Sequence, residues 1–325
     1  MRALQFTEFG GPEKLQVVTL PDPKPLGDQA VIRIMAASVN PSDVKNVAGQ
    51  MEHTILPRVP GRDFSGIVEH GPADWIGAQV WGTGGEIGFT EDGTHAELIA
   101  FPVGALVRKP AALNHAEASA IGVNFIIGWL GLVEYGAPTP GETVAIIGIG
   151  GGVGGAVAQI AKARGCSVIG VDRQAPAAAS PASQIIESFI RSTDNIADAV
   201  RHITGGRGAD VVFDTVGGVM FEAALSTLAQ RGRLIEISST GRRRVEFDLI
   251  EFYHHEARII GADSRKLDAH ASADIFRQLA PGFDDGHYKA PIIAEVHPLE
   301  QGQHAYSSVQ KGTHGRVVIT PQPAT

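Results

Sequence analysis

The chain has 325 residues, 43% of them hydrophobic and 19% charged, which excludes a disordered polypeptide and supplies apolar side chain for two ordinary cores. Acidic residues outnumber basic ones 35 to 27, so a nucleic-acid backbone or an anionic membrane is disfavoured and a small molecule is the expected partner. A single cysteine, Cys166, excludes an internal disulfide and a multi-cysteine zinc lobe, and suits a reducing cytoplasm.

Met1 to Phe9 reaches Glu8 without a long apolar run, so no secretory signal is expected. β-type runs follow at Arg2–Phe6, Leu15–Leu20, Ala30–Ala37, Gly66–Glu69 and His95–Ala100, punctuated by glycine and proline, and predict an antiparallel, partly barrel-like domain over residues 1–120. The uncharged stretches Ala118–Val133 and Thr143–Ala161 approach the length of a membrane span. Both hold polar residues and the second six glycines, so they are read as buried soluble segments.

From about residue 121 to 262 strands alternate with helices. Strands are predicted at Thr143–Ile147, Ser167–Val171, Val211–Phe213, Leu234–Ile237 and Arg258–Ile260, with helices near Val153–Ala163, Asn195–His202 and Gly218–Ala229. Alternation of this kind implies right-handed crossovers and a doubly wound parallel sheet, hence an α/β fold class for this domain. Ala175–Ala182 reads as a small low-complexity connector. The tail, 263–325, reads as helix Ala269–Leu279, strand Pro291–Val296, helix Leu299–Val309 and strand Arg316–Ile319, the last able to return to the first domain's sheet.

The stretch Thr143-Val-Ala-Ile-Ile-Gly148-Ile-Gly-Gly151-Gly152-Val153-Gly154 carries the most chemistry. An apolar strand runs into glycines that remove side-chain bulk where a pyrophosphate touches backbone, and the next helix offers its unpaired N–H groups to the anion. Beyond Gly154 the second strand ends at Asp172, where a carboxylate can accept from an adenosine ribose. Asp172 would repel a 2'-phosphate and favours NAD(H); the adjacent Arg173 could pair with that phosphate and favours NADP(H), leaving the choice between NADPH and NADH open with a slight lean to NAD(H). Strand Gly208-Ala-Asp-Val-Val-Phe-Asp214, ending at Val216 and Gly217, and the run Gly232 to Ser239 with Ser238 should line the same cofactor edge, since ligands of open α/β sheets lie at the C-terminal strand ends.

Together with Ser38-Val-Asn40-Pro-Ser-Asp43-Val-Lys45, Pro60-Gly61-Arg-Asp63-Phe-Ser-Gly66, Gly93-Thr-His-Ala-Glu97-Leu and the closing Gly315-Arg-Val-Val-Ile-Thr, these motifs make the chain resemble the medium-chain dehydrogenase/reductase superfamily, in its zinc-independent quinone oxidoreductase-like branch, over essentially its whole length. The resemblance implies a GroES-like, mostly β catalytic domain completed by the C-terminal tail, a Rossmann domain between the two parts, a substrate in the cleft, and homodimers or homotetramers joined through Rossmann-domain edges. The zinc-dependent branch places a cysteine near Asn40 and a histidine near Arg62. This chain has neither, so no catalytic zinc is expected, and the scatter of its twelve histidines, with no His-x-x-x-His pair beside a carboxylate, argues against any other metal.

The resemblance also sets Asn40 and Asp43 beside nicotinamide and substrate. Lys45 stands where many members carry tyrosine; it would stabilise an oxygen that grows negative as hydride arrives, and supply a proton if burial lowers its pKa, or else be a solvated helix lysine. Ile127 replaces a threonine common near the nicotinamide, and Asn124 one turn earlier would substitute for it or simply pack. Tyr253 or His254, in the crowded segment Leu249 to Glu256, would contact substrate or cover a helix face. The expected function is a cytoplasmic, zinc-free NAD(P)H-dependent reductase of a quinone or α,β-unsaturated carbonyl compound, with no nucleic-acid or membrane partner. The alternatives are a zinc-free alcohol dehydrogenase or carbonyl reductase, and a nucleotide-binding sensor or crystallin-like protein without turnover.

Overall fold

A computed structural model describes residues 1–322. The chain forms two compact units, Met1–Val123 with Arg265 onward, and Asn124–Ser264. In the first, strand Gln29–Val39 is the spine. It runs through the middle of a seven-stranded sheet ordered Ile293–Pro298, Arg316–Thr320, Gln29–Val39, Asp63–His70, Gln79–Gly82 and Val107–Arg108, with Leu98–Pro102 also paired to it. The last strand returns antiparallel through Val317 opposite Val39 and Ile319 opposite Ala37. Its partner on the other side, Ile293–Pro298, runs parallel and is the sheet edge. Leu4, Phe6, Leu15, Val47, Leu299 and Tyr306 pack the core beneath that corner.

Helix His115–Gly128 is broken at Gly122, whose ψ of −119° is not helical. It runs on into a wider turn, Trp129–Gly136. The 22 residues His115–Gly136 are long and apolar enough to cross a membrane by composition, yet 78% of the most apolar window is buried in protein. A helix hydrophobic all round and covered on all sides is a core helix.

The second unit is built on a six-stranded, wholly parallel sheet in the order Ser188–Arg191, Ser167–Asp172, Thr143–Ile147, Ala209–Asp214, Leu228–Glu236 and Arg258–Gly261. Thr143–Ile147 and most of its neighbours are buried on both faces, as a sheet covered on both sides requires. Three elements depart from the sequence reading, one of them a short helix, Pro181–Ile185, that begins inside the stretch read as a connector. The helix predicted over Gly218–Ala229 is confined to Phe221–Leu225, because Gly217 and Gly218 turn with φ of 63° and 48° and Leu228 already pairs with Ala209. Edge strand Ser188–Arg191 was not anticipated; four residues with one buried side chain carry little periodic signal.

Candidate active site

The glycine loop joins strand Thr143–Ile147 to helix Gly152–Ala163. Gly148 turns with φ 83° and donates its N–H to the Val171 carbonyl at 2.8 Å. A Cβ there would lie 2.1 Å from Thr215 Oγ1, and one on Gly154 would lie 2.2 Å from the Gly148 carbonyl oxygen. Both positions therefore exclude any larger residue, the second because helix and strand are in backbone contact. Helical geometry leaves the N–H groups of Gly152, Val153 and Gly154 without acceptors of their own, and the N-cap Gly151 brings no side chain to satisfy them. The result is a bare, positively polarised cradle suited to a diphosphate.

Asp172 ends the neighbouring strand, half-buried, and is held by two main-chain donors: Gly150 N–H on Oδ2 at 2.9 Å and Arg173 N–H on Oδ1 at 2.7 Å. Gly150, not singled out from the sequence, thus anchors the acid to the loop. Arg173 is exposed. The amide of Asn124 lies against Gly152, 3.0 Å from where a Cβ would stand, so this asparagine packs on the cradle, and Ile127 is buried in the same helix.

The next two strand ends are laced together. Asp214 accepts from the N–H groups of Val216 and Gly217, both at 2.8 Å; Thr240 donates to Val216 O at 2.8 Å, and Val219 to Thr240 O at 3.1 Å. A Cβ on Gly217 would sit 1.9 Å from the Ser238 carbonyl oxygen, so Gly217 is more than a plain turn glycine. Glu236, directly across from Asp214 in register, shares a hydrogen bond with it. Burial, reinforced by Asp214, pushes the Glu236 carboxyl up to about 8, so it carries the proton between them at neutral pH. Sequence reading missed Glu236, because nothing local shows that it faces another acid across the sheet.

In the first unit Asn40, Asp43, Ser38, Asp63 and Arg316 form one buried network. Asn40 Nδ2 donates to Asp63 Oδ2 at 2.9 Å, while its Oδ1 accepts from Arg316 Nη2 at 2.5 Å. Arg316 also reaches Ser38 Oγ at 3.0 Å, and the Val123 N–H, freed by the break at Gly122, donates to Asp63 Oδ1 at 3.0 Å. Asp43 Oδ2 accepts the Asn40 N–H at 2.8 Å, closing the first turn of helix Pro41–Val47. Burial pushes Asp43 up to about 7, with the Asn40 hydrogen bond opposing and Asp63 adding to the rise.

The four catalytic candidates from the sequence separate accordingly. Asn40 and Asp43, expected beside substrate, are 2% and 1% exposed; the Asn40 amide is engaged by Asp63 and Arg316, and Asp43 Oδ2 by the Asn40 N–H. Lys45, on the same helix, is exposed rather than buried. Tyr253 lies in the other unit on helix Leu249–His254, which buries none of its residues, with its ring edge-on to His254. Asp63 and Arg316 belonged to recognised motifs, but their partnership spans 253 positions and has no local signature.

Against known proteins, residues 27–111 match the alcohol dehydrogenase GroES-like domain and residues 152–279 the zinc-binding dehydrogenase family. A zinc-type alcohol dehydrogenase-like protein of Schizosaccharomyces pombe is 33% identical over 328 residues, 98% of this chain and 97% of that one. Human quinone oxidoreductase is 27% identical over 333 residues, again 98% and 97% of the two chains. A solved NAD-dependent alcohol dehydrogenase superposes with TM-score 0.89 at 27% identity, over 99% of this chain and 100% of its own. The chain belongs to the medium-chain dehydrogenase/reductase superfamily, in its quinone oxidoreductase-like branch. It is an oxidoreductase of that superfamily, with a GroES-like unit and a Rossmann unit.

The name of the second matching family raises the question of zinc. In this dehydrogenase/reductase the positions at issue are Asn40, already bonded to a guanidinium, and Arg62, 2% exposed, with Nε on the Gly84 carbonyl at 3.1 Å. An amide already taken by a guanidinium and an arginine make a donor set that does not fit a zinc ion, and the neighbouring His95 turns its Nε2 to the Ser38 carbonyl instead, at 3.3 Å. The match to the zinc-binding family lies over 152–279, which contains none of these positions.

Proposed function

We propose that this protein is a zinc-free reductase that uses NADH in preference to NADPH to reduce a quinone or an α,β-unsaturated carbonyl compound. The observation that carries the reading is the bare main-chain cradle of Gly148–Gly154 with Asp172 pinned to it by Gly150. When bound, reduced nicotinamide supplies the hydride. The chain's own contribution begins with the N–H groups of Gly152, Val153 and Gly154, which would hold the diphosphate, and with Asp172, which would take the ribose hydroxyls and repel a 2'-phosphate. Asp214, Val216, Gly217 and Ser238 brace the adjoining strand ends.

With no metal to polarise a carbonyl, that work falls to a positive side chain. Arg316 is buried, with Nη2 bonded to Asn40 and Ser38; Lys45, exposed and one turn beyond Asn40, is the cation we assign to the substrate oxygen, where it would offset developing negative charge. The relatives bear names from both quinone and alcohol chemistry. The lack of a zinc-fitting donor set favours the quinone and enone side, since simple alcohol oxidation gains most from a Lewis acid. The test is a panel of quinones, enones, aldehydes and alcohols assayed with NADH and NADPH in the presence of a chelator. Turnover of quinones or enones with NADH is expected. Normal cofactor binding with turnover of alcohols alone would overturn the substrate class.

A further inference from the structure

Strand Ile293–Pro298, at the edge of the first unit's sheet, faces helix Gly302–Lys311. Glu295 and His297, two positions apart, project to the same side of the strand, and His304 reaches them from the helix. One ligand atom from each of the three lies within 4.8 Å of the other two. We propose that Glu295, His297 and His304 form a binding site for a divalent transition-metal ion, zinc first, that clips the edge strand to the helix following it.

The geometry around the three side chains supports a metal beyond their closeness. His297 Nδ1 lies 3.0 Å from Gln301 Oε1, so an Nδ1–H donated there orients the ring and aims Nε2 at Glu295 Oε2, 2.7 Å away. With Nδ1–H given to Gln301, Nε2 presents its lone pair beside the Glu295 carboxylate, the arrangement in which two metal ligands converge on one ion. Glu295 is tied to Ser308 of the same helix as well as to His297, and these contacts orient its carboxylate. Two of the three ligands carry an outer hydrogen-bond partner, Gln301 for the imidazole and Ser308 for the carboxylate, which is how metal ligands are normally fixed.

Two imidazoles and one carboxylate leave a fourth position for water, a tetrahedral set that suits Zn²⁺ and excludes Ca²⁺ and Mg²⁺, which demand mostly oxygen. Ligand atoms on tetrahedral zinc stand roughly 3.3 Å apart. Glu295 Oε2 and His297 Nε2 are 2.7 Å apart, and a ligand atom of the exposed His304, whose ring stands edge-on to that of His297, lies within 4.8 Å of both. His297 is nearly buried, which screens the site on one side.

The test uses the full-length protein stripped with chelator and titrated with ZnCl₂ by calorimetry, with CoCl₂ absorption as a report on geometry. Wild type is expected to take up one equivalent, to show the visible band of tetrahedral Co²⁺, and to melt at higher temperature with zinc than without. His304→Ala and Glu295→Gln should each weaken zinc by at least about tenfold, and Gln301→Ala by about tenfold through the freed imidazole. His304 is exposed, so His304→Ala should melt like wild type when metal is absent, separating loss of a ligand from loss of fold. Equal zinc affinity in wild type and both ligand variants, or no uptake by wild type at about 1 mM metal, far above the apparent affinity of a built site, would overturn the proposal.

Discussion

At the scale of single residues, two charges decide what the proposed chemistry can be. Asp172 is fixed by the N–H groups of Gly150 and Arg173, so its carboxylate cannot swing away from a ribose bearing a phosphate. Replacing it by serine should lower kcat/KM for NADH and raise it for NADPH, shifting their ratio by roughly tenfold or more, the worth of a hydrogen bond to a charged group. Steady-state kinetics with both coenzymes check this, and an unchanged ratio would shift the choice to Arg173. Lys45 makes the complementary case. Lys45→Ala should cut turnover by about 100-fold, in line with removing one donor from a developing oxyanion, while coenzyme affinity measured by fluorescence stays level. Asn40, which the sequence placed beside the substrate, has its amide committed to Asp63 and Arg316. That role was illegible because Arg316 arrives from the other end of the chain.

At the scale of elements, helix Gly152–Ala163 and strand Thr143–Ile147 matched their sequence reading closely, since an apolar strand, a glycine turn and a helix of alternating faces are all encoded within about twenty neighbouring residues. Their junction is also the most brittle place in the fold. Gly154→Val would push a side chain into the Gly148 carbonyl, separating helix from strand and spoiling the cradle. Coenzyme titration should show affinity reduced by at least tenfold, and the melting temperature should fall by several degrees, the cost of overpacking being about 1–3 kcal/mol. Helix His115–Gly128 shows the opposite case. Its apolar run was visible, but the break at Gly122 is set by Asp63, whose carboxyl stands 2.0 Å from where a Cβ would be. A partner 59 residues away cannot be read from the helix itself.

At the scale of the whole molecule, buried acids govern how stability responds to pH. Glu236 at about 8 and Asp43 at about 7 both lie above the ordinary carboxyl range in the folded protein. The native state therefore holds protons at these two carboxyls that the unfolded chain releases, so their contribution to stability falls as pH rises from about 4 through 8, while buried His95 and half-buried His115, both pushed down to about 4 by burial, contribute in the opposite sense below about pH 6.5. Glu236→Gln keeps the shape and removes the ionisation. It should melt a few degrees above wild type at about pH 8.5, a gain on the order of 1 kcal/mol after allowance for partial solvent access, and the difference should vanish below about pH 4. A pH-independent difference in calorimetric melting curves would mean that Glu236 ionises freely. What the amino-acid order determined alone was whatever depends on near neighbours: the alternation that builds a parallel sheet, the glycine loop, the acid at the end of the next strand, the family likeness. Tertiary structure alone decided which polar groups are consumed by one another. Asn40 with Arg316, Asp214 with Glu236, and His297 with Glu295 and His304 are each joined by strand register or by contact across a sheet edge, and a short-range pattern carries no record of which distant side chain will arrive to take a hydrogen bond.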